Sequence, residues 1–155
     1  MNEISINNKK IIRDRYTLLV AATNEKIIGY KICKKGLKTD LFIEFMKELK
    51  ELDPLNEKYY LLDNARVHKT KKFNSYLEDN KMDIVFNAPY HSETNPIENI
   101  FSMFRNNLNR NTTETESDLK LSIENFIKID NKEKFKNIFD HSCKMIKSFI
   151  ENNKI

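Results

Sequence analysis

Two short apolar runs on either side of a helical segment constrain the fold of this chain more than any other feature. Tyr59–Leu62 and Asp83–Phe86 show no alternation of polar and apolar residues. Strands of this kind are typical of a parallel sheet, in which both faces are covered. Residues 70–80, between the two runs, carry apolar side chains at helical spacing. The pattern predicts a strand, a helix and a second strand, and therefore a mixed α/β fold.

An antiparallel hairpin and a helix are predicted upstream of these strands. Residues 16–22 and 27–33 are rich in β-forming residues, and the turn-like segment 23–26 joins them. The helix that follows begins near Thr39 and ends before Pro54. Its apolar residues fall on one stripe, at Phe42, Phe45, Met46 and Leu49.

Three more apolar stripes, within residues 97–108, 119–127 and 135–150, predict three further helices. The element order is then β-β-α-β-α-β-α-α-α, which describes a mixed sheet flanked by helices with a helical C-terminal tail. A chain of 155 residues is long enough for one apolar core. We expect a single domain over residues 1–155, with a polar N-terminal tail at 1–12 and C-terminal helices at 112–155.

The distribution of charge says more about partners than the net charge of +4. Residues 1–38 hold nine Lys and Arg against three acidic residues. A basic N-terminal third suits a nucleic-acid backbone, although a solvated lysine-rich surface explains the same composition. No apolar run approaches the length of a membrane span. Cys33 and Cys143 lie far apart without metal-ligand spacing, so we expect buried, reduced thiols in an intracellular protein.

Two acidic residues lie where predicted elements end or begin. Asp63 directly follows Tyr59–Leu62, Glu98 opens the next helical stripe, and thirty-four residues lie between them. Carboxylates at the ends of neighbouring elements are suitable ligands for the divalent ions of phosphodiester chemistry. Ordinary structure also explains each residue singly. Asp63 suits a turn after a strand, and Asn95 with Glu98 fits a capping box worth about 1 kcal/mol. Spacing alone leaves both interpretations open.

Cationic side chains accompany both carboxylates. Arg66 and His68 follow Asp63 closely and are suited to contact phosphate or a metal-bound water, with a solvated loop as the alternative. Arg105 lies two helical turns after Glu98 on the same polar face. A polar stripe that faces water explains Arg105 equally well.

Two linked motifs in this region resemble the catalytic domain of mariner-superfamily transposases, including their bacterial insertion-sequence relatives. The segment LLDNARVHKTKK matches the family's Asp-Asn-Ala…His motif, beginning at Asp63. The segment APYHSETNPIENIFSMFR matches its Pro-Tyr-Ser-Pro-x-x-Asn-Pro-Ile-Glu motif, ending at Glu98, and the thirty-four-residue interval is a family hallmark. The resemblance covers about residues 13–108. Five positions depart from the pattern without removing an acidic ligand: Ala88, His91, Ser92, Phe101 and Arg105.

The resemblance implies a DDE-type enzyme on a ribonuclease H-like fold. Such enzymes cleave DNA and transfer strands with two Mg²⁺ or Mn²⁺ ions. Asp63 and Glu98 would then be catalytic residues and metal ligands. The candidate contacts to DNA are Asn64, Arg66, His68, Asn95 and Arg105.

The first aspartate of the family's triad belongs on a central strand ahead of Tyr16. Only Glu3 and Asp14 are acidic there, and neither lies in an apolar run. We therefore expect the first central strand and its aspartate to be missing, which would weaken metal binding and leave the domain inactive alone. Its loss would also leave neighbouring sheet edges unpaired, unless residues 3–12 form a substitute strand or another chain associates. The family's N-terminal helix-turn-helix region is missing as well.

Several roles for such a truncated domain remain open. An upstream-encoded half or another transposase chain would supply the missing part in one case. In the other, the chain is a non-catalytic remnant that binds DNA or pairs with a transposase as a regulator. A soluble domain with coincidental motifs is the third alternative. The first two predict DNA or a transposase chain as partner and no membrane. They place the protein in the nucleus of a eukaryote or the cytoplasm of a bacterium.

Overall fold

The computed structural model describes residues 2–4, 16–52, 59–63, 65–87, 91–108 and 115–152. Within them, short 3₁₀ helices lie at Arg66–Lys69 and Ser92–Thr94. No helix in these ranges is long and apolar enough to span a bilayer. The strands are β1 Asn2–Ile4, β2 Tyr16–Ala22, β3 Ile27–Lys34, β4 Tyr59–Leu62 and β5 Asp83–Phe86. The α-helices are α1 Thr39–Leu52, α2 Lys71–Asn80, α3 Pro96–Asn107, α4 Glu116–Lys128 and α5 Lys132–Asn152.

The strands form two sheets in the described part of the chain. β1, β2 and β3 make an antiparallel sheet in that order, while β4 and β5 make a parallel pair. β2 pairs with β3 along its whole length, with a register shift between Ala21 and Ala22. β4 pairs with β5 from Tyr59 opposite Asp83 to Leu62 opposite Phe86. The predicted hairpin, the predicted parallel pair and the mixed α/β architecture are therefore confirmed.

A short strand precedes the hairpin, within the segment predicted as a polar tail. In β1, Asn2 lies opposite Leu18 and Glu3 lies opposite Thr17. Asn and Glu are poor strand formers. The extended conformation of β1 is therefore due to its pairing with the edge of β2 and not to its composition. The structure thus places Glu3 in a strand. A substitute strand from residues 3–12 was one of the predicted outcomes, and Glu3 and Ile4 of β1 belong to that range. Asp14 lies outside the described residues.

Side chains that alternate along β2 separate two apolar cores. Leu18 and Val20 pack with residues of α3, α4 and α5, whereas Leu19 packs with residues of α1, α2 and β4. The two helical layers therefore cover opposite faces of the antiparallel sheet. The predicted stripe of α1 is confirmed, because all four of its residues are buried in the second core: Phe42, Phe45, Met46 and Leu49.

The parallel pair is more exposed than the sequence predicted. Tyr59 of β4 is 77% exposed, and Val85 and Phe86 of β5 are also exposed. Leu62 is the buried residue of the pair. In the described part of the chain β5 pairs only with β4, so it is an edge strand. The prediction that both strands are buried on both faces is therefore wrong.

Candidate active site

Asp63 directly follows β4, at the carboxyl end of the parallel pair. Its Oδ1 accepts a hydrogen bond from the backbone N–H of Ala65 at 3.1 Å. The same oxygen lies 2.9 Å from Nδ1 of His68, and the side chain is 27% exposed. Open α/β sheets bind ligands outside the carboxyl ends of their strands. Asp63 therefore lies where open α/β sheets bind ligands, and its orientation is fixed from two sides.

His68 anchors Asp63 from inside the protein. Its ring is fully buried, with its centroid 4.4 Å from that of Phe42 and 6.4 Å from that of Phe73. Nδ1 also lies 3.1 Å from the carbonyl oxygen of Asp63. Both neighbours of Nδ1 are acceptors, so the geometry assigns the ring proton to this nitrogen. The predicted contact between His68 and DNA or a metal-bound water is wrong, because the 3₁₀ helix turns the ring into the core.

These contacts keep Asp63 ionised. Partial burial alone would raise the pKa of its carboxyl group. The hydrogen bond from His68, the backbone N–H of Ala65 and attraction to His68 act in the opposite direction. Together they lower the pKa of Asp63 to about 2. At neutral pH the group is an anion, the form that a hard divalent cation requires.

Glu98 occupies the first turn of α3 and is partly buried. The cap of this helix is Asn95, whose Oδ1 accepts the N–H of Ile97 at 3.3 Å. The Asn95 side chain thus bonds to the second residue of the helix, whereas a capping box requires a bond to the third. A full box forms instead at α4, between Thr115 and Asp118.

The other candidate DNA contacts differ in burial and in the contacts that they make. Asn95 is 2% exposed and serves as a helix cap, so its predicted contact with DNA is wrong. Arg66 is exposed in the 3₁₀ helix beside Asp63. Arg105 is partly buried, with its guanidinium carbon 6.0 Å from the centroid of the Phe101 ring. Asn64 lies outside the described residues.

A buried hydrogen-bond network, which the sequence did not indicate, links the end of the parallel pair to the start of α3. The N–H of Asn87 donates to the carbonyl of Leu62 at 2.8 Å, which extends the ladder by one residue. The Asn87 side chain donates to the carbonyl of His91 at 2.7 Å and accepts from the hydroxyl of Thr94 at 2.7 Å. Because Asn87 and Thr94 are buried, this network fixes the end of the parallel pair against the segment that precedes α3.

We expect the Thr94→Val substitution to lower the free energy of unfolding by about 2 kcal/mol, because it removes a buried hydroxyl that lies 2.7 Å from Oδ1 of Asn87 and 2.7 Å from the carbonyl oxygen of His91. Thr17→Val is the matched control. The Thr17 hydroxyl is also buried but has no hydrogen-bond partner among the described residues. Its removal should be neutral or stabilising in a urea titration. Equal losses in the two variants would show that the network adds no stability.

The residues that precede the two carboxylates meet at one cavity. Leu62, directly before Asp63, and Ile97, directly before Glu98, both line an apolar cavity of about 550 Å³. Asn95, the cap of α3, lines it as well. The end of β4 and the start of α3 therefore border the same cavity.

The described residues alone do not form a complete two-metal centre. Among the described residues there is no group of three His, Cys, Asp or Glu side chains able to hold a metal ion. Asp63 is ionised and suits Mg²⁺ or Mn²⁺, but two ions need more carboxylate ligands than Asp63 and Glu98 provide.

Solved structures of one transposase are similar to this chain. A pre-cleavage Mos1 transpososome matches with a TM-score of 0.77 at 15% identity, over 100% of this chain and 49% of that chain. The Mos1 mariner paired end complex with Mn matches with a TM-score of 0.74 at 14% identity, over 94% of this chain and 47% of that chain. The catalytic domain of Mos1 mariner transposase matches with a TM-score of 0.72 at 16% identity, over 90% of this chain and 72% of that chain.

These likenesses confirm the predicted ribonuclease H-like fold and the resemblance to mariner transposases. This chain spans less than half the length of the transposase chains in the two complexes. No curated protein matches it by sequence. The family profile described as DDE superfamily endonuclease matches residues 5–120, which is most of the chain. The chain therefore belongs to the DDE superfamily endonucleases.

Proposed function

We propose that this chain is a DDE-type endonuclease domain that acts on DNA in transposition and is catalytically incomplete by itself. The observation that carries the proposal is the Asp63 carboxylate, held ionised by buried His68 at the carboxyl end of β4. A buried histidine in this position serves a carboxylate that must stay charged. The family of the chain supports the reaction class.

Incompleteness follows from the acidic residues at hand. Asp63 and Glu98 are the residues that we assign to metal binding and catalysis. Of the two acidic residues ahead of the hairpin, Glu3 and Asp14, only Glu3 lies in the described part of the chain. Glu3 lies in β1 opposite Thr17, near the start of β2, whereas the cavity beside the two carboxylates is lined by the end of that strand. We infer that Mg²⁺ or Mn²⁺, with which the Mos1 catalytic domain has been solved, binds weakly here.

DNA contacts are best supported beside Asp63. Arg66 and Lys69 are exposed on the same 3₁₀ helix, and Lys69 Nζ lies 5.7 Å from the centroid of the Phe86 ring. Exposed cations at this position suit a phosphate backbone. Lys31 in the basic N-terminal third instead pairs with Glu44 at 2.9 Å and Glu48 at 3.1 Å. These ion pairs reduce the support for a regulator that binds DNA through that third alone.

The proposed partners follow from the same comparison. The similar solved structures include a Mos1 strand transfer complex and a Mos1 paired end complex. We propose DNA and another transposase chain as partners of this domain. With DNA as the substrate, the site of action would be the nucleus of a eukaryote or the cytoplasm of a bacterium.

The proposal predicts weak Mn²⁺ binding that depends on Asp63, without DNA cleavage. Mn²⁺ binding, followed by electron paramagnetic resonance, should weaken at least tenfold in Asp63→Asn, because a neutral amide replaces the anionic ligand. Supercoiled plasmid incubated with the purified chain and Mn²⁺ should be nicked no faster than with Asp63→Asn.

Asp83→Asn is the matched control for this experiment. It removes the same charge from an exposed residue at the opposite end of the parallel pair, so Mn²⁺ binding should not change. Robust nicking that Asp63→Asn abolishes would overturn the claim of incompleteness. Mn²⁺ binding that is the same in both variants would overturn the role of Asp63.

A further inference from the structure

The aromatic ring of Phe86 lies exposed beside the candidate active site. Phe86 ends β5 opposite Leu62, the residue directly before Asp63. Neighbouring strands of a sheet are about 4.8 Å apart, so the two positions are adjacent at the carboxyl end of the parallel pair. The Phe86 side chain is nevertheless 40% exposed. A single exposed phenylalanine is common on protein surfaces, but the surroundings of this one indicate a function.

Two cations lie on the 3₁₀ helix beside this ring. Arg66 and Lys69 are three residues apart, so they lie on the same side of a helix with about three residues per turn. Both are exposed, and neither pairs with an acidic residue in the described part of the chain. Lys72, on the next helix, pairs with Asp40 instead. Arg66 and Lys69 are therefore available to bind phosphates of a nucleic-acid strand.

Buried His68 fixes this helix relative to Asp63. Its backbone N–H donates to the carbonyl of Ala65 at 3.1 Å, and its ring contacts the Asp63 carboxylate. Lys69 follows directly, and its Nζ lies 5.7 Å from the centroid of the Phe86 ring, which is within cation–π distance. One nucleotide can therefore place its phosphate on Lys69 and its base on Phe86, at a fixed position beside Asp63.

The combination of ring and cations selects an unpaired base. Aromatic side chains beside cationic residues bind single strands, because every base has a face that stacks on a ring. In a duplex the faces of the bases are covered by neighbouring bases, and proteins contact phosphates and groove edges instead. An apolar protein surface would bury both cations without a partner, which is unfavourable. Single-stranded DNA therefore suits this surface better than a duplex or an apolar protein.

We propose that Phe86 is a stacking platform for one unpaired DNA base and that Lys69 binds the phosphate of the same nucleotide. This inference rests on the proposed function, in which DNA is the substrate. It adds a DNA-binding residue to the two assigned carboxylates. Because Phe86 contacts a base and not a phosphate, its loss affects binding of single-stranded DNA and leaves binding of duplex DNA unchanged.

The test compares Phe86→Leu with Phe86→Tyr in the presence of EDTA, so that no metal ion acts on the DNA. The probes are a labelled oligothymidylate of about ten nucleotides and a duplex of the same length, followed by fluorescence anisotropy. Phe86→Leu stays apolar but loses the ring. It should weaken binding of the single strand at least about fivefold and change that of the duplex less than twofold. Phe86→Tyr keeps the ring and should bind both probes within twofold of the parent chain.

Tyr59→Leu is the matched control, because Tyr59 is an exposed aromatic residue at the opposite end of the same strand pair. It should leave both affinities unchanged within twofold. Lys69→Gln should weaken binding of the single strand and lower the slope of log affinity against log salt concentration by about 0.7. A reducing agent is present throughout, because Cys143 is exposed on α5, contrary to the prediction of a buried thiol, while Cys33 is buried as predicted.

Photocrosslinking locates the contact directly. One thymine of the oligothymidylate is replaced by iodouracil, which on irradiation couples to an aromatic ring stacked on it. The crosslinked residue, identified by mass spectrometry of the digested complex, should be Phe86.

Four results would overturn the inference. The first is an unchanged affinity of Phe86→Leu for the single strand, and the second is an equal loss for single strand and duplex. The third is a crosslink that forms only at other residues. The fourth is a dimer, detected by sedimentation, that Phe86→Leu dissociates, which would make a second copy the occupant. All four leave the proposed function to its own Mn²⁺ test, whereas absence of binding to both probes would overturn the proposed function as well.

Discussion

Replacing His68 with alanine is expected to lower the free energy of unfolding at neutral pH by about 3 kcal/mol. The ring is fully buried against Phe42 and Phe73, so its removal leaves a cavity between aromatic side chains. The substitution also removes the hydrogen-bond donor from the partly buried carboxylate of Asp63. Both effects act in the same direction. A urea or guanidinium titration of the purified variant measures the loss.

His91→Ala is the matched control, because His91 makes an equivalent contact at the surface. Its Nδ1 lies 2.9 Å from Oε1 of Glu93, the same distance as between His68 and Asp63. The His91 side chain is 38% exposed, however, and exposed pairs of this kind are worth about 0–1 kcal/mol. We expect a loss below about 1 kcal/mol. Similar losses in the two variants would show that burial of the His68 imidazole contributes little.

The helices could be predicted from sequence because an amphipathic period depends on one buried face only. The stripe of α1 is buried as predicted. The stripe of α5 has the same period throughout, but Phe135 is buried while Phe149 and Ile150 are exposed. Periodicity shows which face of a helix packs against the protein core. It does not show how far along the helix that core extends.

The strands were harder to predict, because their environment depends on distant parts of the chain. An unbroken apolar run suggested that β4 is covered on both faces, yet Tyr59 is exposed and one edge of the strand borders a cavity. β1 has no apolar pattern at all and exists by pairing with β2. In both cases the neighbouring strand, and not local composition, decides the structure.

The residues of the candidate site also differ in whether local sequence or distant contacts determine their roles. Asp63 and Glu98 could be found from sequence, because each lies at a boundary that local residue types indicate, the end of an apolar run and a helix N-terminus. The role of His68 could not, because the ring is buried by side chains of α1 and α2. The hydrogen bond between Asn87 and Thr94 could not be predicted for a similar reason, because these two buried side chains come into contact only in the folded protein.

The charge of Asp63 is expected to make the stability of this domain depend on pH in the acidic range. The pKa of its carboxyl group falls from an ordinary value of 3.8 to about 2 on folding. Because the folded value is the lower one, the unfolded chain takes up the proton first as pH falls. The stabilisation is therefore complete above about pH 4 and is lost as pH approaches 2. By linkage it amounts to about 2 kcal/mol.

Asp63→Asn isolates this contribution, because the amide keeps an oxygen that accepts from Ala65 and His68 but carries no charge. In denaturant titrations the variant should be about 2 kcal/mol less stable than the parent chain between pH 5 and 7, and the difference should disappear toward pH 2. Glu93→Gln is the control, because His91 also lowers the pKa of this carboxyl group but the pair is exposed. It should show a much smaller dependence, since water screens the pair. A constant difference between the parent chain and Asp63→Asn across the acidic range would show that shape, and not charge, is what His68 recognises in Asp63.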